Sequence, residues 1–66
     1  MKQIRQNKKH NFRIYEQGKY SNISGYELVY ILTDYNGNYI KKFSSYQLLI
    51  NYLNDRLGVN WKWKRI

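Results

Sequence analysis

Apolar residues recur along this chain with two different periods, and the change of period divides it into strands and one helix. From Asn11 the segment NFRIYEQ alternates, with Phe12 and Ile14 on one side and Arg13 and Tyr15 on the other, the pattern of a half-buried strand. YELVYILTD, residues 26–34, carries aromatic and β-branched residues at both parities: Tyr26, Leu28, Tyr30 and Leu32 on one face, Val29, Ile31 and Thr33 on the other. Apolar content on both faces predicts a central strand. Asn36-Gly37 then suits the positive φ angles of a tight hairpin, and NYIKKF returns as the next strand. Two registers fit. A two-residue turn pairs Tyr30 with Phe43 and Thr33 with Ile40, whereas a three-residue loop with Gly37 in a bulge pairs Leu32 with Ile40 and Val29 with Phe43. In either, Lys41 and Lys42 point to opposite faces, because successive strand residues do so.

The period lengthens in SSYQLLINYLNDRLG, residues 44–58. At 100° per residue, Tyr46, Leu49, Ile50, Leu53 and Leu57 form one stripe suited to a sheet, while Gln47, Asn51, Asn54 and Asp55 face water. Ser44 with Gln47 three residues later reads as a capping box. Gly58 stands where a left-handed residue ends a helix, and Val59 is placed to pack back on the last turn. Leu48 and Tyr52 flank the stripe, and Leu48 is expected to be exposed.

GKYSNISG, residues 18–25, reads as a loop because serine and asparagine side chains bond nearby backbone and glycines bound it. Residues 1–10 have little apolar content and read as a basic, mobile arm, leaving 11–66 as a single domain. The predicted fold is α+β: an antiparallel sheet of three or four strands with one helix on one face, in the order β-β-β-α. An extended C-terminal tail follows, which adds a fourth strand or folds over the helix end.

Charge changes the picture more than composition does. Residues 1–19 hold Lys2, Arg5, Lys8, Lys9, Arg13 and Lys19 against Glu16 alone; residues 20–59 are neutral; residues 60–66 add Lys62, Lys64 and Arg65. The whole net charge of +8 therefore sits at the two ends, a distribution that suits a polyanion. Lys, Asn, Tyr and Ile, all encoded by A/T-rich codons, make up nearly half the chain, so the placement of the lysines and tyrosines carries more weight than their number. The tail NWKWKRI, if extended, sets Trp61, Trp63 and Arg65 on one side and Lys62 and Lys64 on the other. Burying both indoles contributes roughly 8 to 12 kcal/mol before entropy is subtracted, so a core this small is expected to use at least one of them.

Candidate chemistry is sparse. No cysteine is present, His10 stands alone, and no glycine-rich phosphate loop occurs. Glu27 and Asp34 are the acids that could approach one another across strands, but four carboxylates are few for a metal cluster. The expectation is a non-enzymatic protein without a cofactor or metal. Its longest apolar run, LVYIL, is far too short for a membrane span, and no apolar segment follows the basic start as in a secretory signal, so a cytoplasmic location is expected. Three antiparallel strands followed by a helix resemble, in element order, small DNA-binding domains that lay a sheet in the major groove, including the arm-binding domains of some integrases. The first functional expectation is thus a nucleic-acid-binding module. Its phosphate contacts would come from Lys8, Lys9, Arg13, Lys41, Lys42, Lys62, Lys64 and Arg65, with Trp63 available for stacking. The alternative is a protein-binding regulator or inhibitor of phage or other mobile-element origin, docking Leu48 and Tyr52 on an acidic host protein. The chain is expected to be a monomer or a weak sheet-edge homodimer.

Overall fold

The segments with the clearest alternation pair with each other along their full length. In the computed structural model, which describes residues 1–23 and 25–61, strand β2 (Phe12–Ser21) runs antiparallel to β3 (Gly25–Thr33) in an unbroken register from Arg13↔Thr33 to Ser21↔Gly25. β1 (Lys2–Asn7) flanks β2, β4 (Tyr39–Phe43) flanks β3, and helix α1 (Tyr46–Leu57) follows, giving a four-stranded antiparallel sheet in the order β1-β2-β3-β4. The architecture is α+β, with one more strand than β-β-β-α and with β3 central as its two apolar faces predict.

The fourth strand comes from the N-terminus. Residues 2–7, expected to lie outside the domain as an arm, pair from Lys2↔Glu16 to Asn7↔Phe12. Alternation is hard to see there because a bulge between Gln3 and Arg5 breaks the period. Polar contacts supply what apolar burial lacks: Arg13 donates to Gln3 Oε1 at 3.2 Å and Arg5 to the Tyr46 hydroxyl at 3.3 Å, while Ile4 packs on the core.

Two turns close the same end of the sheet. Between β1 and β2, Asn7 Oδ1 accepts from His10 N at 3.0 Å and Asn11 takes a left-handed φ of 60°. Between β3 and β4, Asp34 Oδ1 accepts from the backbone of Asn36 and of Asn38, each at 2.9 Å, and Gly37 takes φ 94°. Asn11 Oδ1 also accepts from Tyr35 N at 3.2 Å, tying one turn to the other. The β3–β4 register combines the two predicted ones: Tyr30 pairs with Phe43 as in the two-residue turn, but a bulge at Ile40 makes Thr33 pair with Tyr39.

The segment read as a loop at residues 18–25 is mostly strand. β1 stops pairing at Glu16 and β4 at Tyr30, so residues 17–21 and 25–29 continue as a two-stranded ribbon beyond the four-stranded part. Lys19 pairs with Glu27, and the rings of Tyr20 and Tyr26 meet edge to face at 5.1 Å. Tyr26 lies over Gly18, whose missing side chain makes room for it. Turn-favouring residues here serve only the tip, where Ile23 is 98% exposed.

One face of the sheet carries Phe12, Ile14, Tyr30, Leu32 and Phe43, and α1 lays Leu49, Ile50 and Leu53 on them to form the buried core. The helix starts one residue later than the predicted capping box: Ser45, not Ser44, is the N-cap, and its hydroxyl accepts from Leu48 N at 3.2 Å. Gly58 ends it at φ 65°, and Val59 packs back on the core. Leu57, placed on the buried stripe by periodicity, is exposed at the helix end, while Leu48 is 52% exposed as expected. No helix among the described residues is long and apolar enough to cross a membrane.

Candidate nucleic-acid interface

The helix lies on one face, and among the described residues no second layer covers the opposite face of the sheet. Register assigns its residues. β2 contributes Arg13, Tyr15, Gln17 and Lys19; β3 contributes Thr33, Ile31, Val29 and Glu27; β4 contributes Tyr39 and Lys42; and β1 contributes Gln3 and Gln6. Tyr15, Val29 and Ile31 are half-buried across the middle, and Tyr39 is 66% exposed beside Thr33. Gln17, Lys19, Glu27, Val29 and Lys42 line a shallow depression of about 460 Å³ where the ribbon leaves the body. Three cations and one acid thus share this face among the described residues.

The sequence-predicted cations do not all join it. Lys42 lies on the open face, but Lys41 is on the other, its Nζ 5.6 Å from the Phe43 ring centroid and 5.5 Å from that of Tyr52. Lys8 and Lys9 sit in the exposed β1–β2 turn, at the end of the open face nearest Arg13. Arg13 itself is half-buried. Its guanidinium stacks 4.6 Å from the centroid of Tyr35 and bonds Gln3, while its Nε is buried without an acceptor. Arg13 therefore fastens the β3–β4 turn to β1, a structural task that competes with the phosphate contact expected of it. Lys62, Trp63, Lys64 and Arg65 lie outside the described residues.

Of the acids, Glu27 shares this face and Asp34 does not reach it. Asp34 is spent inside its own turn: the side-chain amide of Asn38 leads, and the backbone N–H groups of Asn38, Asn36 and Gly37 add to it, in holding its carboxyl below the ordinary 3.8. Glu27 faces Lys19 across the ribbon, at the opposite end of β3 from Asp34, so these two acids do not approach each other. No cluster of metal-ligating side chains occurs among the described residues.

Trp61 is held against the basic first strand. Its ring packs edge-on against Phe12, with centroids 5.4 Å apart, and the Arg5 guanidinium lies 3.8 Å from its centroid. Asn54, expected to face water, clamps the Trp61 backbone in both directions: Asn54 Oδ1 accepts from Trp61 N at 2.8 Å and Asn54 Nδ2 donates to Trp61 O at 2.6 Å. Trp61 thus serves the core, as the size of the domain requires. The sequence presents Arg5 as one cation of a basic arm and Asn54 as a water-facing helix residue; no local pattern marks the contact of either with Trp61, because the partner lies on another element.

No family model matches this chain, and no significant similarity to a characterised protein or to a solved structure is found.

Proposed function

We propose that this chain is a small, non-enzymatic nucleic-acid-binding module whose uncovered sheet face meets the phosphate backbone. The observation that carries this reading is the open face itself: Lys19 and Lys42 lie on a surface that no element among the described residues covers, with Lys8 and Lys9 at its end. A basic face left bare has a desolvation cost lower than a buried one and attracts polyanions through counterion release.

Salt dependence tests the reading. With about four or five phosphates engaged, log K against log salt should fall with a slope of roughly −3 to −4.5, the shallower value for single strands. Lys42→Ala should reduce that slope by about one charge's worth. A slope near zero, or no binding to any oligonucleotide at about 50 mM salt, would refute it.

A second reading has its own observation. Leu48 and half-buried Tyr52, four residues apart on α1, form an exposed apolar spot flanked by Lys41 and by Arg56, whose guanidinium is 5.9 Å from the Tyr52 centroid. An acidic protein surface fits that chemistry. Stoichiometric, nuclease-insensitive binding of such a partner, abolished by Leu48→Asp, would favour it.

A further inference from the structure

The open face is not uniformly basic, and its pattern distinguishes between kinds of nucleic acid. Its middle is apolar and aromatic, with Tyr15, Val29 and Ile31 half-buried; mostly exposed Tyr39 opens the edge strand β4 at the turn end, and the cations also stand at the periphery: Lys42 beside Ile31, Lys19 on the ribbon, Arg13 near the turns. A duplex offers a sheet only base edges and thymine methyls in its grooves and keeps the base faces stacked within, so an exposed aromatic ring finds no base face to stack on. A single strand leaves its bases free to stack on aromatic faces while the backbone reaches the cations around them.

Resting on the reading above, we infer that the ligand of this face is a single-stranded polynucleotide, with a base stacked on Tyr39, the adjoining backbone held by Lys42 and the strand running on toward Lys19 on the ribbon. Tyr39 suits the role by its position. The bulge at Ile40 interrupts β4 next to it, and at 66% exposure its ring is committed to no core contact. Tyr15, in the same row as Ile31 and Lys42, offers a second apolar surface toward the centre. The depression between Lys42 and Lys19, lined also by Gln17, Gly18, Glu27 and Val29, sets two cations and one acid around a single apolar side chain. Stacking and phosphate contact do not sense the 2′-hydroxyl, so thymidine and uridine oligomers are expected to bind within a few-fold of each other.

The test compares fluorescence anisotropy of labelled oligothymidine, oligouridine and a mixed-sequence duplex of equal length on the full chain. Single strands should bind roughly ten-fold or more tightly than the duplex. Tyr39→Ala should weaken single-strand binding by roughly five- to a hundred-fold with its salt slope unchanged, while Tyr39→Phe, which keeps the π-face, stays near the parent. Lys42→Ala should instead lower the slope. Because Tyr39 lies outside the core, its removal leaves the fold in place, which circular dichroism checks. Equal or tighter duplex binding, or a Tyr39→Ala protein that binds single strands as the parent does, overturns the inference while leaving nucleic-acid binding standing. Failure of every probe to bind at about 50 mM salt overturns both.

Discussion

Single residues in this protein are often engaged in ways their type alone does not announce. Asp34 is one of four acids in a chain of net charge +8, yet it neutralises none of the lysines, because its oxygens are taken by Asn36 and Asn38 within the β3–β4 turn. Those bonds hold its carboxyl below 3.8 in the folded state, so they stabilise the protein fully above that value and are lost as pH falls through it toward the folded value. Asp34→Asn should therefore unfold at lower urea concentration than the parent at neutral pH, with the gap narrowing once the pH drops below 3.8; a gap independent of pH would contradict this assignment. Arg13 gives the reverse lesson. The alternation of NFRIYEQ placed it on the solvent side of β2, as observed, but the ring of Tyr35 and the amide of Gln3 that hold it there arrive from β1 and the β3–β4 turn. Nothing in its local sequence separates a free phosphate ligand from a fastening residue.

At the scale of elements, strands and helix were legible wherever one face is buried by many residues in a regular period. The central β3, the helix stripe and the Gly58 stop follow from that periodicity. β1 was not legible, because its single packed residue, Ile4, lies in a bulge and the remainder of its support is polar and cross-strand. The ribbon was hidden for a related reason: turn-forming residues fill residues 18–25, but the Tyr20–Tyr26 ring contact and the vacancy at Gly18 extend the ladder past them. The clearest dependence between elements is that of the C-terminal stretch on α1. Two hydrogen bonds from Asn54 fix Trp61 against β1 and β2, a net contribution of about 1 to 3 kcal/mol. In a Trp63→Phe background, where Trp61 is the remaining indole, Asn54→Ala should shift tryptophan emission to the red and lower stability by that amount. Unchanged emission would mean that Phe12 and Arg5 suffice to hold the ring.

For the whole molecule, the edges of the sheet decide whether copies of the chain associate. β1 carries Lys2, Arg5 and a bulge, and β4 is five residues long with a bulge at Ile40 and the pair Lys41-Lys42. Short, bulged, lysine-bearing edges resist edge-to-edge pairing, and a charge of +8 on each copy opposes it further. The chain should accordingly remain monomeric by sedimentation equilibrium at high concentration and physiological salt; a concentration-dependent dimer would contradict that account. The amino-acid sequence by itself determined the class of fold, the β3–β4 hairpin, the helix and the gathering of charge at both ends, because each of these follows from local period or composition. Tertiary structure alone decided which cations share the open face, that the N-terminus completes the sheet, and that Arg5 and Asn54 secure Trp61. Those outcomes depend on register, bulges and contacts between residues far apart in the chain, which no local pattern encodes.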